Sequence, residues 1–305
     1  MYMGSPASLE EVGAFLRRMF SDPEILPLPA PARRLLASVI AAVRAPSARR
    51  KYALIGGCSP LPGILQGLRR GLARTLGQEF SVHLGMCYSE PFISQAVEEA
   101  AEQAEEVLGL PLYPHYAEAT SGACIRRFLK AAERQGVEAR AVRQWGSFMP
   151  FIGALAERVE EALELHPGAM VVFSAHSLPE KSARRDGYPG QVAETCRLVA
   201  ERLGIEEWRL AYQSSLRFGR WLKPELKDVL REAAGSGAGE VLVVPVSFVA
   251  DNLETLYDID VEYSALAARL GVKLHRCRAL NDSPAFTSAL AELVRGYSNS
   301  THISG

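Results

Sequence analysis

The sequence predicts an α/β fold made of two Rossmann-like domains, each a parallel sheet flanked by helices. Three observations carry this. Helical and strand patterns alternate almost throughout. The runs at 170–173 and 241–246 are continuously apolar, the pattern of strands buried on both faces. The order of elements is similar in the two halves, and 305 residues suit two domains of ordinary size. The expected division is 1–147, 148–297 and a polar, frayed tail at 298–305, with the two domains facing each other across a cleft.

Each element has a local signal. Ser8-Leu9-Glu10-Glu11 reads as a capping box opening a helix to about Phe20. A second helix is expected over 31–43, with Pro31 in its first turn. The turn Gly56-Gly57-Cys58-Ser59-Pro60-Leu61-Pro62 leads into a helix ending at Leu76. Strands at 80–86 and 106–112 bracket a helix at 93–104, and a helix at 123–135 and a strand at 137–144 close the first half. The second half reads as a helix at 151–165, the strand at 170–173, a helix at 191–203, a strand at 208–213 and a helix at 224–234. The strand at 241–246 follows with its helix, then a short strand at 273–275 and a last helix at 284–297. The opening Met1-Tyr2-Met3-Gly4-Ser5-Pro6 is a turn with almost no strand before it, so the first strand reads as cut short. With Met1 as the true start, poor stability is expected.

Composition narrows the function. Hydrophobic residues at 48% and charged residues at 23% support a large core. A net charge of -1 and a pI near 6.6 argue against a nucleic-acid partner. No apolar run reaches the ~18 residues that span a bilayer, and no signal-peptide pattern opens the chain, which reads as cytoplasmic. Cys58, Cys87, Cys124, Cys196 and Cys277 are scattered without a C-x-x-C, so an iron–sulfur cluster is not indicated.

Chemistry concentrates at two strand ends. The run Val172-Phe173-Ser174-Ala175-His176-Ser177-Leu178-Pro179 delivers His176 to the C-terminal end of a buried strand, where ligands bind in open α/β sheets. A neutral imidazole there could accept a proton near pH 7 or bind a metal. After the strand at 241–246, Glu254, Asp258 and Glu262 recur every four residues, on one helix face with a drift of about 40° per step. Asp251 stands near the start of that helix, where negative charge suits the dipole. No Lys or Arg falls three or four residues away to relieve the three acids. The row is either a solvated acidic face or a path for a divalent cation or for protons. Tyr113, His115, Trp145, Tyr212 and Trp221 are either core residues or the lining of a cleft suited to a flat apolar ligand.

These residues together resemble the ferrochelatase family, which inserts ferrous iron into a porphyrin to make haem. The resemblance covers nearly the whole chain. It rests on Phe173-Ser174-Ala175-His176-Ser177-Leu178-Pro179 and on Glu254-Thr255-Leu256-Tyr257-Asp258-Ile259-Asp260-Val261-Glu262-Tyr263. Supporting it are Ile55-Gly56-Gly57-Cys58-Ser59-Pro60, Met3-Gly4-Ser5-Pro6, Phe20-Ser21-Asp22-Pro23 and Tyr212-Gln213-Ser214.

The resemblance implies that His176 and Glu254 are catalytic, and that His176, Glu254, Asp258 and Glu262 meet the metal. It implies porphyrin contacts at Met3, Ser59, Tyr113, His115, Trp145, Tyr212 and Trp221. Fe²⁺ is then a substrate, no organic cofactor is needed, and two pyrrole protons leave as iron enters. Met3 favours protoporphyrin IX over coproporphyrin. The helix at 31–43, with Leu35, Leu36, Val39, Ile40 and Val43 on one face, becomes a lip of the cleft that touches a membrane peripherally, or else an ordinary core-facing helix.

This sequence departs from the family at Asn252, usually His, and at Ala53-Leu54, where many members have basic residues and this chain offers Arg49, Arg50 and Lys51 nearby. It also lacks the usual glycine-proline pattern over 212–224. The alternatives are a chelatase for coproporphyrin or for another divalent metal, and a porphyrin- or haem-binding protein that has lost catalysis.

Overall fold

The computed structural model describes residues 1–26, 28–215 and 219–299. The chain divides into two units. The first comprises Met1–Arg70, Gln78–Leu112 and Glu118–Arg143; the second comprises Gly71–Gly77, Tyr113–Ala117 and the described part of Gln144–Gly305. Both are mixed α/β with parallel strand pairing, as the alternating pattern predicts.

In the first unit, helix α1 (Val12–Phe20) packs on α2 (Ala30–Leu54). The expected capping box does not form: α1 starts at Val12 with no side-chain cap, and the Glu11 carboxylate accepts the Ala7 N–H instead. Helix α2 runs eleven residues beyond the expected end, through Pro46, which is exposed. The face it buries is not the leucine–valine stripe. Ala37, Ala41 and Ala45, spaced by four, turn inward, while Leu35 is 71% and Val43 74% exposed. Small residues let two helices approach closely, so here the alanines form the packed face.

Gly56 and Gly57 take positive φ values of +102° and +90° in the turn to α3 (Leu61–Leu76), which only glycine adopts at little cost. Helix α4 (Ile93–Ala101), strand β1 (Glu106–Gly109), α5 (Ala123–Gln135) and strand β2 (Glu138–Ala141) follow, with β1 and β2 parallel. The expected strand at 80–86 reduces to a bridge at Met86, pairing with Tyr2 and with Phe92. A strand needs a ladder partner, and the chain start pairs with this segment at Tyr2 alone. The start is bonded on both sides: Tyr2 N–H to Gly85 O (3.1 Å) and Leu112 N–H to Met1 O (2.8 Å). In the adjoining turn Gly4 has φ +89°, and a Cβ there would overlap the Ser89 hydroxyl.

Phe20-Ser21-Asp22-Pro23 anchors the same unit. Buried Asp22 accepts from the Tyr88 hydroxyl (2.7 Å), from Arg127 (2.8 Å) and from the Glu24 N–H (2.9 Å). Burial alone would raise its pKa, but the Glu24 N–H, the Tyr88 hydroxyl and Arg127 outweigh it and hold the carboxyl below its ordinary value.

The second unit carries the larger sheet. Helix α6 (Met149–Leu165) precedes β3 (Met170–His176), then come α7 (Glu180–Arg185), α8 (Tyr188–Leu203), β4 (Trp208–Gln213), α9 (Leu226–Gly235) and β5 (Glu240–Pro245). Helix α10 (Ser264–Arg269), β6 (Lys273–Arg276) and α11 (Pro284–Asn299) complete it. All pairs are parallel, in the order β4-β3-β5-β6. The strand at 208–213 matches its expectation, and β3 extends three residues past the apolar run to include His176. Helix α11 takes in the first two residues of the expected tail; 300–305 lie outside the described residues, as do 216–218 within the 212–224 departure.

Between β5 and α10, Glu254–Tyr263 is a π-helix, not the expected α-helix. Thr255 and Ile259 are fully buried on it, and Ile259 joins the core formed by Val172, Leu230, Val241 and Val243. Hydrogen bonds reaching i+5 widen the turn to a little over four residues. Residues spaced by four therefore stay nearly in line. Thr255 and Ile259 form the buried line, and Glu254, Asp258 and Glu262 form a second line one residue away.

Candidate functional site at the sheet switch point

Strand order decides where a site can form. From β3 the chain moves outward to β4 and then returns to the other side of β3 as β5. The reversal between β3 and β5 is a topological switch point, and ligands bind beyond the carboxyl ends of the strands there. His176 is the last residue of β3, and the segment after β5 leads into the π-helix bearing Glu254.

The histidine is fixed from both sides. Its N–H donates to Ser247 Oγ at 2.9 Å, and its carbonyl accepts from the Tyr188 hydroxyl at 3.1 Å. The ring stands edge-on to Phe248 at 5.8 Å and 86°. Its Nδ1 is buried with no hydrogen-bond partner among the described residues. Burial lowers the imidazole pKa below its ordinary 6.5, and Asp258 pulls it partly back up. The ring is therefore neutral near pH 7, with a lone pair for a proton or a metal ion.

Gln213 and Ser214, at the end of β4, fix the acidic row. The Ser174 hydroxyl donates to Gln213 Oε1 (2.7 Å), and Gln213 Nε2 donates to the Glu254 carbonyl (3.0 Å). Ser214 holds a left-handed φ of +64°, a conformation costing about 1–2 kcal/mol for a non-glycine residue, and its hydroxyl reaches Asp258 Oδ2 at 2.7 Å. Glu254 and Asp258 are half-buried and Glu262 is exposed, so the row leads from the strand end to solvent. Arg276 engages two other acids, Asp251 at 2.8 Å and Asp260 at 2.7 Å. A row of hard oxygen donors running from the strand end to solvent suits a cation or proton path.

Asn252 caps the π-helix. Its Oδ1 accepts the Thr255 N–H (3.1 Å) while Thr255 Oγ1 accepts the Asn252 N–H (3.0 Å). A hydrogen-bonding but non-titrating residue serves this role.

The aromatic positions separate. His115 is 2% exposed, bonded through Nε2 to Thr195 (2.9 Å), and burial lowers its pKa to about 3. Trp145 is buried against Phe151 and Phe286. Tyr113 and Tyr212 are buried as well. His115 thus lies buried within the second unit. Trp221 is half-exposed and lines a cavity of about 520 Å³ with Glu180, Arg220, Lys223 and Glu225. In the first unit Met3 is half-exposed, while Ser59 is buried with its hydroxyl accepting the Leu61 N–H (3.3 Å). Ser247, Gln213 and Ser214 were not singled out as site residues in the sequence; a serine or glutamine at a strand end carries no periodic signal.

With the strand-end histidine and its acidic row in place, relatives decide the family. The ferrochelatase family profile matches residues 1–297. A ferrochelatase of Aquifex aeolicus is 36% identical over 299 residues, covering 96% of each chain. One of Geobacter metallireducens is 37% identical over 306 residues, covering 97% of this chain and 96% of its own. The chain belongs to the ferrochelatase family. Ferrochelatases are lyases that insert Fe²⁺ into a porphyrin in haem biosynthesis, so Fe²⁺ and a porphyrin are substrates here. The structure titled SirB from Bacillus subtilis with Fe3+ shares the fold, with TM-score 0.57 and 18% identity over 75% of this chain and 88% of its own. No described helix is long and apolar enough to cross a membrane.

Proposed function

We propose that this ferrochelatase uses protoporphyrin IX, and that His176 and Glu254 receive the two pyrrole protons displaced by Fe²⁺. The supporting observation is His176 itself: a neutral imidazole with a buried, unpartnered Nδ1 at the switch point of the sheet. Such a group accepts a proton near neutral pH without first losing one. Asp258 and Glu262 continue from Glu254 toward solvent, a route by which Fe²⁺ arrives or protons leave.

Met3 carries the preference for protoporphyrin, and Met3 and Trp221 are the porphyrin contacts whose exposure best suits the role. The exposed stripe Leu35, Leu36, Val39 and Val43 on α2 rests on a membrane surface.

Anaerobic insertion followed by absorbance tests the reading, with protoporphyrin IX and coproporphyrin III as competing substrates and Zn²⁺ beside Fe²⁺. Turnover of protoporphyrin that disappears in His176→Ala is the expected result. A preference for coproporphyrin would overturn the substrate assignment, and full activity of His176→Ala would overturn the proton role.

A further inference from the structure

The opposite end of the same sheet brings together three side chains of metal-ligating type. His166 closes α6, Glu240 opens β5, and His275 lies in β6. One donor atom from each lies within 4.8 Å of the others. The two imidazole rings stack at 3.5 Å and 16°, and His275 Nε2 is 3.1 Å from Glu240 Oε2. We propose that His166, Glu240 and His275 bind a divalent first-row transition ion of the Zn²⁺, Ni²⁺ and Co²⁺ class, in a site separate from the catalytic one.

The donor set specifies the class of ion. Two imidazoles and one carboxylate are the three protein ligands of many four-coordinate zinc sites, with water in the fourth position. Imidazole selects borderline ions over Mg²⁺ and Ca²⁺, which prefer all-oxygen cages.

The backbone already brings the three residues together. Glu240 and His275 sit on adjacent strands in a register that pairs Glu240 with Lys273 and Leu242 with His275. The His166 N–H is bonded to the Ala162 carbonyl at 3.1 Å, and its own carbonyl accepts from Ala169 at 3.2 Å. Sites built on regular elements hold their geometry best. Bonds of about 2.0–2.1 Å require donors roughly 3.3 Å apart, so closing from at most 4.8 Å takes side-chain rotation rather than backbone movement. Lys273 Nζ is 3.4 Å from the other Glu240 oxygen, and its side chain is 68% exposed, free to withdraw as the ion enters.

Separation from the catalytic end follows from the register. Met170 pairs with Val241 near this rim, and His176 lies at the far end of the same strand, roughly 20 Å away at ~3.3 Å per residue. The bound ion would tie the end of α6 to β5 and β6, so it acts on the stability of the second unit.

The test uses the full chain carrying His176→Ala, which removes the imidazole at the catalytic end, freed of metal by a chelator. Zn²⁺ or Ni²⁺ should raise its melting temperature by about 5 °C at saturation, and Mg²⁺ should not. Adding His166→Gln with His275→Gln should abolish the rise while the circular dichroism stays native. Should that variant not fold, Lys273→Ala decides, because removing the competing cation from Glu240 should tighten Ni²⁺ binding by roughly threefold or more. No Zn²⁺ or Ni²⁺ response in the His176→Ala chain, an undiminished one without His166 and His275, or unchanged affinity in Lys273→Ala would each overturn the proposal.

Discussion

The side-chain amide of Gln213 donates to the main-chain carbonyl of Glu254 at 3.0 Å. Its other end accepts the Ser174 hydroxyl at 2.7 Å, two residues before His176. One fully buried side chain thus sets the spacing between the histidine strand and the start of the acidic row. Misplacing reacting groups by about 1 Å can cost 10²-fold in rate. Gln213→Leu should lower kcat for Fe²⁺ insertion by about 10–100-fold with little change in porphyrin KM. Ser174→Ala cuts the other end of the same link and should lower kcat in the same direction. An unchanged kcat in both variants would mean that Gln213 serves packing alone.

The pH dependence of the reaction should follow His176. Its pKa lies below 6.5 because the ring is buried, with Asp258 opposing the shift. A group that must be neutral to accept a proton stays competent down to its folded-state pKa. The acidic limb of kcat/KM should therefore fall below pH 6.5, and Asp258→Asn, by removing the opposing charge, should move it lower still. An acidic limb above pH 6.5, or one that rises in Asp258→Asn, contradicts this assignment.

Much of this arrangement was legible in the sequence. Continuous apolar runs give away β3 and β5 because both faces of a central parallel strand are covered. Spacing by four located the acidic row but could not distinguish an α-helix from a π-helix, since both bring every fourth residue close to one face. Helix α2 misled in two ways. Its packed face is alanine, too weakly hydrophobic to stand out, and its leucines and valines point to solvent. The missing strand at 80–86 depended on a partner far away in sequence, which no local pattern records.

The reciprocal bonds of Asn252 with Thr255 make it a cap. Asn252→Ala should lower stability by about 1 kcal/mol, and Asn252→Asp should restore most of it. Chemical denaturation of the three proteins checks this. An Asn252→Ala variant as stable as the parent would show that the cap contributes nothing.

The exposed apolar stripe of α2 has a direct test. Leu35, Val39 and Val43 lie on solvent, whereas Ala37, Ala41 and Ala45 hold the helix to α1. Replacing the first three by Ser should leave the melting temperature within about 2 °C, because exposed positions carry little folding energy. The same change should abolish flotation with anionic vesicles. Flotation unaltered by the replacement would remove α2 as the contact.

Asp22 should contribute acid sensitivity to the first unit. Burial opposes its ionisation, yet the Glu24 N–H, the Tyr88 hydroxyl and Arg127 keep its folded pKa below the ordinary 3.8. The carboxylate's contribution is complete above that value and is lost as pH falls through the folded pKa. Replacing it by Asn leaves Arg127 and the Tyr88 hydroxyl facing a neutral amide, and loss of a buried charge-assisted partner costs about 2–3 kcal/mol. Asp22→Asn should therefore be less stable than the parent by about that amount at pH 7, with the gap narrowing below pH 4 as the parent's carboxyl protonates. Denaturation curves at pH 7 and pH 3 measure both quantities. A gap that stayed constant across that range would mean that the hydrogen bonds hold without the charge.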